Sequence, residues 1–596
     1  MQSNWAALQT KIKAKGGKAL RPEKRLKPAH ASESPEDARE TKKRKKHARR
    51  RANDDGTRGR SSAETSETAT TSRRHRDMAN GSHEPVRVDV GDAAPRTGPP
   101  PRPSDDARVL DETAPLAPER RRALTSASAL GGANAKRSIE HSLETLSRAT
   151  IVEAARLEAV SHLCFVFERA AAPLLGANRW ANAFEELMFA HDASADPLVP
   201  TDDAARAFCS ARFAAARAEP NAHATKAAEL VPSGHYKKTL LETHPETIRR
   251  YEFERSATAS IVAAARRARD AVARAARGDA SERARASVRA ERLEPVGPPT
   301  ARSARDAPPA FARVRLSLGR AKVELRAEHF RKLACLWNSR ARAAGSHDDV
   351  VRVTETTSGL VDETGDSASD ARARFLRAAF ACAARVVAAQ GGMHRVAGGH
   401  HAALHGEVFD VLKYGSLRVE AELFASPLNC RYDVFCSAHA DVDAPFGSLG
   451  SFFAFAPKDG SFEVNPPFES ALVARVAARL ETLLADAEAC GAALSFAVIT
   501  PHWPRRAAWE ALRGSAFRVR APLVIAARDH GYVDGAQHCK KKTLRPASCD
   551  TSVLFLQTSR GRTEYPPTDE TEEALRAAFR ARRAERKTSA RESRET

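Results

Sequence analysis

Residues 460–485, GSFEVNPPFESALVARVAARLETLLA, constrain the fold more tightly than any other stretch of the chain. Phe462 and Val464 alternate with Glu463, which reads as the end of a strand. Asn465 offers a side-chain oxygen as a helix cap, and proline fits a first helical turn, where no amide donor is needed. Beyond Phe468 the apolar residues fall at Leu472, Val476, Leu480, Leu483 and Leu484, the spacing of a helix with one buried stripe. A strand that ends in a turn and opens a helix belongs to doubly wound α/β sheets. In those sheets the ligand lies at the carboxyl ends of the strands.

The tetrapeptide between strand and helix, Asn465-Pro466-Pro467-Phe468, suits one chemistry. The exocyclic amine of adenine has a delocalised, weakly nucleophilic lone pair. An asparagine amide oxygen can accept one of its hydrogens and the Pro466 carbonyl the other, which localises the pair. Phe468 can stack on the base, a contact worth roughly 1–3 kcal/mol. Positioning against a methyl donor then supplies most of the catalysis. The same residues also suit a plain turn followed by a core phenylalanine.

Further segments follow in order: FASPLNC (424–430), CSAHADVDAPFGSLG (436–450), FAPKDGSFEVNPPF (455–468), LSFAVITPHW (494–503), GAQHCKKK (535–542) and SVLFLQ (552–557). Across 422–557 the chain resembles the catalytic core of the cap-specific adenosine N6-methyltransferases, the phosphorylated-CTD-interacting-factor family. The resemblance implies a Rossmann-like α/β methyltransferase domain. It implies S-adenosyl-L-methionine as cofactor and the 2′-O-methyladenosine beside the methylguanosine cap of mRNA as substrate. It names Asn465, Pro466, Pro467 and Phe468 as the catalytic residues. Relatives carry an acidic residue two places after the phenylalanine; here Ser470 holds that place and Glu469 precedes it. Members often bear a small WW domain near the N-terminus that binds the phosphorylated tail of RNA polymerase II. Trp5 is the only tryptophan before Trp180, no paired-tryptophan pattern follows it, and no WW domain is found.

Lys and Arg number 96 against 75 Asp and Glu, a formal charge of +21. That excess favours a polyanion, either nucleic acid or an anionic membrane surface. The abundance of alanine and arginine points as much to a GC-rich coding genome as to a selected surface. Nine cysteines without a C-x-x-C pair read as reduced thiols. No window is apolar for the length a bilayer requires, and no signal core opens the chain.

Residues 1–135 are rich in charge, Ser, Pro and Gly and poor in aromatics, which predicts a disordered basic tail. Lys42 to Lys46 and Arg49 to Arg51 form a candidate nuclear localisation signal, or a non-specific RNA-binding run. Residues 98–103 are a polyproline linker. Helical periodicity governs 136–300, an all-α domain. Within it Lys237, Lys238 and Arg250 with interleaved tyrosines suit cap phosphates and RNA backbone, or a solvated helix pair.

The methyltransferase domain is expected over 301–561, opening with a hairpin around Gly319, and a charged tail over 562–596. His394, His400, His401 and His405 cluster in one loop, but no cysteine or carboxylate completes a metal set. The strand over 419–424 meets Ser426-Pro427-Leu428-Asn429, the expected cofactor turn, with Asn429 and the backbone of Ser426 to Leu428 as its contacts and Asn465 as a further cofactor contact. No G-x-G-x-x-G is present, as suits a cofactor without phosphate. Asp441 and Asp443 offer a partner for the cofactor's ammonium or ribose, or a lid. Glu469, Ser470 and Trp503 are candidate substrate contacts, as are Lys540 and Lys541, which suit phosphates.

Two other functions fit the same residues. One is N6-adenine methylation of internal RNA or DNA. The other is a non-catalytic RNA-binding scaffold on an inactive core. A membrane-surface protein lacks an amphipathic anchor.

Overall fold

The computed structural model describes residues 118–124, 143–176, 179–189, 196–216, 245–278, 287–293, 313–346, 349–351, 366–392, 399–540 and 543–581. They fall within one unit, residues 98–596. The basic run at 42–51 and the polyproline stretch lie outside the described residues.

Helices come first. α1 is Pro118–Leu124, α2 Leu143–Leu175, α3 Trp180–Phe189, α4 Asp202–Ala216 and α5 Pro245–Arg277. A three-stranded antiparallel sheet follows in the order β1 (Arg289–Leu293), β2 (Arg313–Leu318), β3 (Ala321–Arg326). Gly319 (φ +57°) makes the β2–β3 turn, where the left-handed backbone favours glycine. Strand β1 was not legible: it is exposed along most of its length and has no alternating burial.

Helices α6 (Ala327–Ala343) and α7 (Asp366–Ala389) then pack against α2 and the small sheet. Helix α7 is buried almost all round from Ala371 onward, through Phe375, Phe380, Cys382 and Val386. A helix that is apolar on every side belongs in the middle of a protein.

The second half is built on a six-stranded sheet. After α8 (Gly406–Tyr414) come β4 (Ala421–Ala425), β5 (Phe435–Ser437), a one-turn helix α9 (Ala440–Asp443) and β6 (Gly460–Val464). They are followed by α10 (Ser470–Ala489), β7 (Leu494–Pro501), α11 (Ala507–Arg513) and β8 (Leu523–Ile525). A two-stranded ribbon, β9 (Gly531–Val533) with β10 (Leu544–Pro546), precedes β11 (Thr551–Gln557) and α12 (Ser559–Glu564). A last helix covers 569–581. The sheet order is β5-β4-β6-β7-β11-β8. Strands β5, β4, β6 and β7 are parallel, and β11 runs antiparallel to both its neighbours.

The pleat divides the sheet between two cores. Phe462, Val464, Phe496, Val498, Leu554 and Leu556 face α10 and α11. Ala497, Ile499, Val553 and Phe555 face α8 and the C-terminal helix. Leu480 and Leu484 of α10 are fully buried, each contributing roughly 1.5–3 kcal/mol.

Two expectations are corrected. Asn465 does not cap α10. The cap is Glu469, whose carboxylate accepts the amides of Ala471 (2.9 Å) and Leu472 (2.7 Å). Asn465 and Pro466 each precede a proline, which holds both out of the helical region, so the helix starts later. Nor is all of 1–135 without structure. Helix α1 buries Leu124 in the sheet core, and Arg120 pairs with Glu420 (2.8 Å) and Asp459, while Arg121 pairs with Asp433. Those long-range ion pairs leave no local pattern in the sequence.

Candidate functional site

Strand order reverses between β4 and β6, and a crevice opens there at the carboxyl ends of β4, β5 and β6. Leu423, Phe424 and Ala425 end one strand, Ser437 the next, and Asn465 follows the third. Its empty space is about 910 Å³ counting the open mouth, the scale of a small-molecule site. Val386 of α7 and Leu472 of α10 also line it.

One wall is aromatic. Phe424 and Phe452 lie 5.0 Å apart, Phe452 and Phe453 5.2 Å, and Arg475 covers the outer ring of Phe453 at 4.5 Å. The opposite side is polar: His400, His401, Ser437, His439 and Asp443. Burial, with the Arg385 charge beside it, keeps His439 neutral by lowering its pKa. Burial pushes the Asp443 carboxyl up to about 7, against the opposing effect of Ser437 and Cys382 nearby.

Strand β6 and the two prolines fix Asn465, which is 8% exposed and faces the crevice. Among the described residues no hydrogen bond engages its side chain, and no backbone bond uses the Pro466 carbonyl. Pro467 lines the crevice, whereas Pro466 and Phe468 do not. Phe468 packs instead on the α8 side of the sheet against Tyr532.

The turn after β4 is held by its own side chains. Asn429 Oδ1 accepts the Ser426 amide (2.6 Å) and hydroxyl (2.9 Å), and Asn429 Nδ2 donates to the His401 carbonyl (3.1 Å). Ser426 and Asn429 reach the crevice; Pro427 and Leu428 do not, Leu428 being buried in the helical core. Beneath the turn, Lys332 of α6 donates to the carbonyls of Leu428 (3.4 Å) and Cys430. Glu422 accepts the amides of Arg431 (2.5 Å) and Tyr432 (2.6 Å), and burial raises its pKa to about 7.

Other expected contacts are placed elsewhere. Glu469 is occupied as the cap of α10, and Ser470 begins that helix. Trp503 packs on the α10 side of the sheet, away from Phe468, with Arg506 over its ring at 6.0 Å. The two therefore do not share an edge. Trp503 lies past the end of β7, where the pleat no longer sets its face, and packs in the core of Phe496 and Val498. Lys540 holds Asp534 through both carboxylate oxygens (2.9 and 3.0 Å). Arg250 lies on α5 and bonds Glu254 (3.3 Å) and the Ala216 carbonyl (3.1 Å). Lys237, Lys238, His394 and Lys541 lie outside the described residues. His405 pairs with Glu407 at 3.0 Å. No group of ligating side chains that could hold a metal ion occurs among the described residues, and no described helix is long and apolar enough to cross a membrane.

The sheet and its crevice define a mixed α/β protein with an open site at the carboxyl ends of its parallel strands. Residues 358–535 match the family described as "Phosphorylated CTD interacting factor 1 WW domain". Two relatives are the mRNA (2'-O-methyladenosine-N(6)-)-methyltransferases of Homo sapiens and Mus musculus. Each is 42% identical over 166 residues, which is 27% of this chain and 23% of the relative. The match thus spans about a quarter of the length of these curated relatives.

The description carries the WW name, so the expectation that this chain lacks that family element is corrected in name. The matched stretch lies far beyond Trp5 and runs through α7, α8 and strands β4 to β9.

Proposed function

We propose that this protein is a Rossmann-like methyltransferase that uses S-adenosyl-L-methionine to methylate N6 of the cap-adjacent 2′-O-methyladenosine of mRNA. The observation that carries the reading is Asn465: a nearly buried amide, facing the crevice, with no described protein partner. The strand order, with β11 antiparallel between β7 and β8, and the names of the relatives support it.

The residues at the crevice fit the cofactor. Phe424, Phe452 and Phe453 offer an apolar wall for its purine, and Ser437, His439 and Asp443 offer polar groups for its ribose and ammonium. No phosphate cradle is needed. When bound, S-adenosyl-L-methionine supplies an electrophilic methyl group on a sulfonium.

The chain's own part is positioning. Asn465 Oδ1 accepts one N6 hydrogen and the Pro466 carbonyl the other, so the amine lone pair is localised. Phe468 stacks on the base from the α8 side. Because the departing thioether is neutral, no strong base is required, and the amine proton leaves to water. The basic side chains of Lys237, Lys238 and Lys541, outside the described residues, suit RNA phosphates. The run at 42–51 suits nuclear import, and the family name suits contact with the phosphorylated polymerase tail.

The test is methyl transfer to RNAs beginning with adenosine, capped and uncapped. The reading expects N6 methylation of the capped RNA alone. Equal transfer to both, or to internal adenines, favours an internal RNA or DNA methyltransferase, and absence of cofactor binding favours a scaffold.

A further inference from the structure

Two loops on the polar side of the crevice are fixed by carboxylates from far upstream in the chain. Glu185, on α3, is fully buried. Its Oε2 accepts the amides of Gly399 and His400, both at 3.2 Å, and lies 3.1 Å from His400 Nδ1. His400 and the adjoining His401 line the crevice. Burial works to raise the pKa of Glu185, but the His400 hydrogen bond and the nearby His401 hold it below the usual carboxylate value. The carboxylate is therefore the form that this loop stabilises.

On the same polar side of the crevice the arrangement recurs. Glu153, on α2, is 1% exposed and accepts Arg385 through both oxygens, at 2.7 and 2.6 Å. The Arg385 guanidinium, also 1% exposed, bonds Asp441 through both oxygens, at 3.1 and 2.7 Å. Asp441 lies between His439 and Asp443, which both face the crevice. Arg156 and Asp196 complete the charge network behind Glu153.

Both carboxylates lie outside the matched residues 358–535. A buried charge is retained only where its partners offset desolvation. Here every charged partner of Glu185 and the outer partner of Arg385 belong to the crevice loops.

We propose that Glu185 and Glu153 are positioning residues of the methyl-donor site, acting through His400 and through Arg385 and Asp441. Helices α2 and α3 thereby help build a site whose lining residues all lie from Val386 onward. This rests on the methyl-transfer reading and goes beyond it. Geometry at the loops, rather than mere cohesion of the two halves, is what the carboxylates supply.

The experiment uses the full chain. Binding of S-adenosyl-L-methionine is measured by calorimetry, and donor KM, RNA KM and kcat are measured with capped RNA. Glu185→Ala is expected to weaken donor binding by about tenfold, the equivalent of one charge-assisted hydrogen bond. The loss should fall on donor KM rather than on RNA KM. Glu185→Gln keeps an acceptor for the two amides and loses the charge, so it is expected to sit between parent and alanine. Glu153→Gln should weaken donor binding in the same sense.

Donor affinity within about twofold of the parent in folded Glu185→Gln and Glu153→Gln overturns the proposal. So does a lowered melting temperature with an unchanged donor KM, the signature of a purely structural role. If the parent itself binds no donor, the proposed function falls, and this inference with it.

Discussion

The ring of Phe468 meets the ring of Tyr532 edge-on, with centroids 5.6 Å apart and planes at 81°. The Tyr532 hydroxyl is in turn fixed by Thr551 Oγ1 at 2.5 Å, and His530 Nε2 reaches the same oxygen at 2.8 Å. The position of Phe468, half-buried, is therefore set by a buried network. Tyr532→Leu removes the aromatic edge and should lower kcat by about tenfold, with donor affinity unchanged. Tyr532→Phe keeps the ring and should cost about 1 kcal/mol of stability with little loss of turnover. Equal kcat in the leucine variant and the parent would sink this account of Phe468.

Asn465→Ala and Phe468→Ala address the chemistry directly. Asn465 bonds nothing described in the fold, so its loss should leave the melting temperature close to that of the parent. Turnover should fall by roughly two orders of magnitude, the loss typical of one preorganised polar group. Phe468→Ala should lose most turnover through stacking. Methylation at the parent rate by either variant defeats the assignment.

Asp443 makes stability depend on pH. Burial raises its folded pKa to about 7, above its ordinary value, against Arg385, while Asp441 adds to the rise. The native state thus holds a proton that the unfolded chain gives up. The contribution is complete below about pH 4 and is lost as pH rises through about 7. Asp443→Asn lacks it. Urea denaturation at pH 5 and pH 8 should therefore show the variant gaining on the parent by a few kcal/mol at the higher pH. A constant difference at both pH values contradicts the buried, protonated carboxyl.

Lys332 is 3% exposed and joins α6 to the turn after β4. Lys332→Met fills the same space but leaves the Leu428 and Cys430 carbonyls without their donor. We expect a loss of about 1–3 kcal/mol in stability and a higher donor KM, because Ser426 and Asn429 share that turn. An unchanged donor KM would mean that the turn keeps its shape without the lysine.

The parts of this site that lie close together in sequence were legible. Alternation at Phe462 and Val464, the proline pair and the stripe from Val476 to Leu484 give strand, turn and helix in order, and Asn465 falls at the strand end, facing the crevice. The parts that depend on distant partners were not. Glu469 reads as a substrate contact until the helix is seen to start beside it. Lys540 reads as a phosphate ligand until Asp534 is seen to hold it. Trp503 and Phe468 each lie beyond a strand end, where the alternation of the strand no longer sets the face, and they pack in opposite cores. His439 leaves no periodic or motif signal. Its role follows from the crevice wall, and a single histidine between small residues gives no such indication.

Gly460 opens β6 with φ +115°, and the guanidinium of Arg120 lies where a Cβ would stand. Arg120 also donates to the Asp459 carbonyl at 2.9 Å. The first residue of the central strand is thus shaped to receive a helix more than three hundred places earlier in the chain. A protease cut before residue 118 spares that joint. A cut just after 124 frees the short helix to depart and takes the Arg120 and Arg121 guanidinium groups away from Glu420, Asp459 and Asp433.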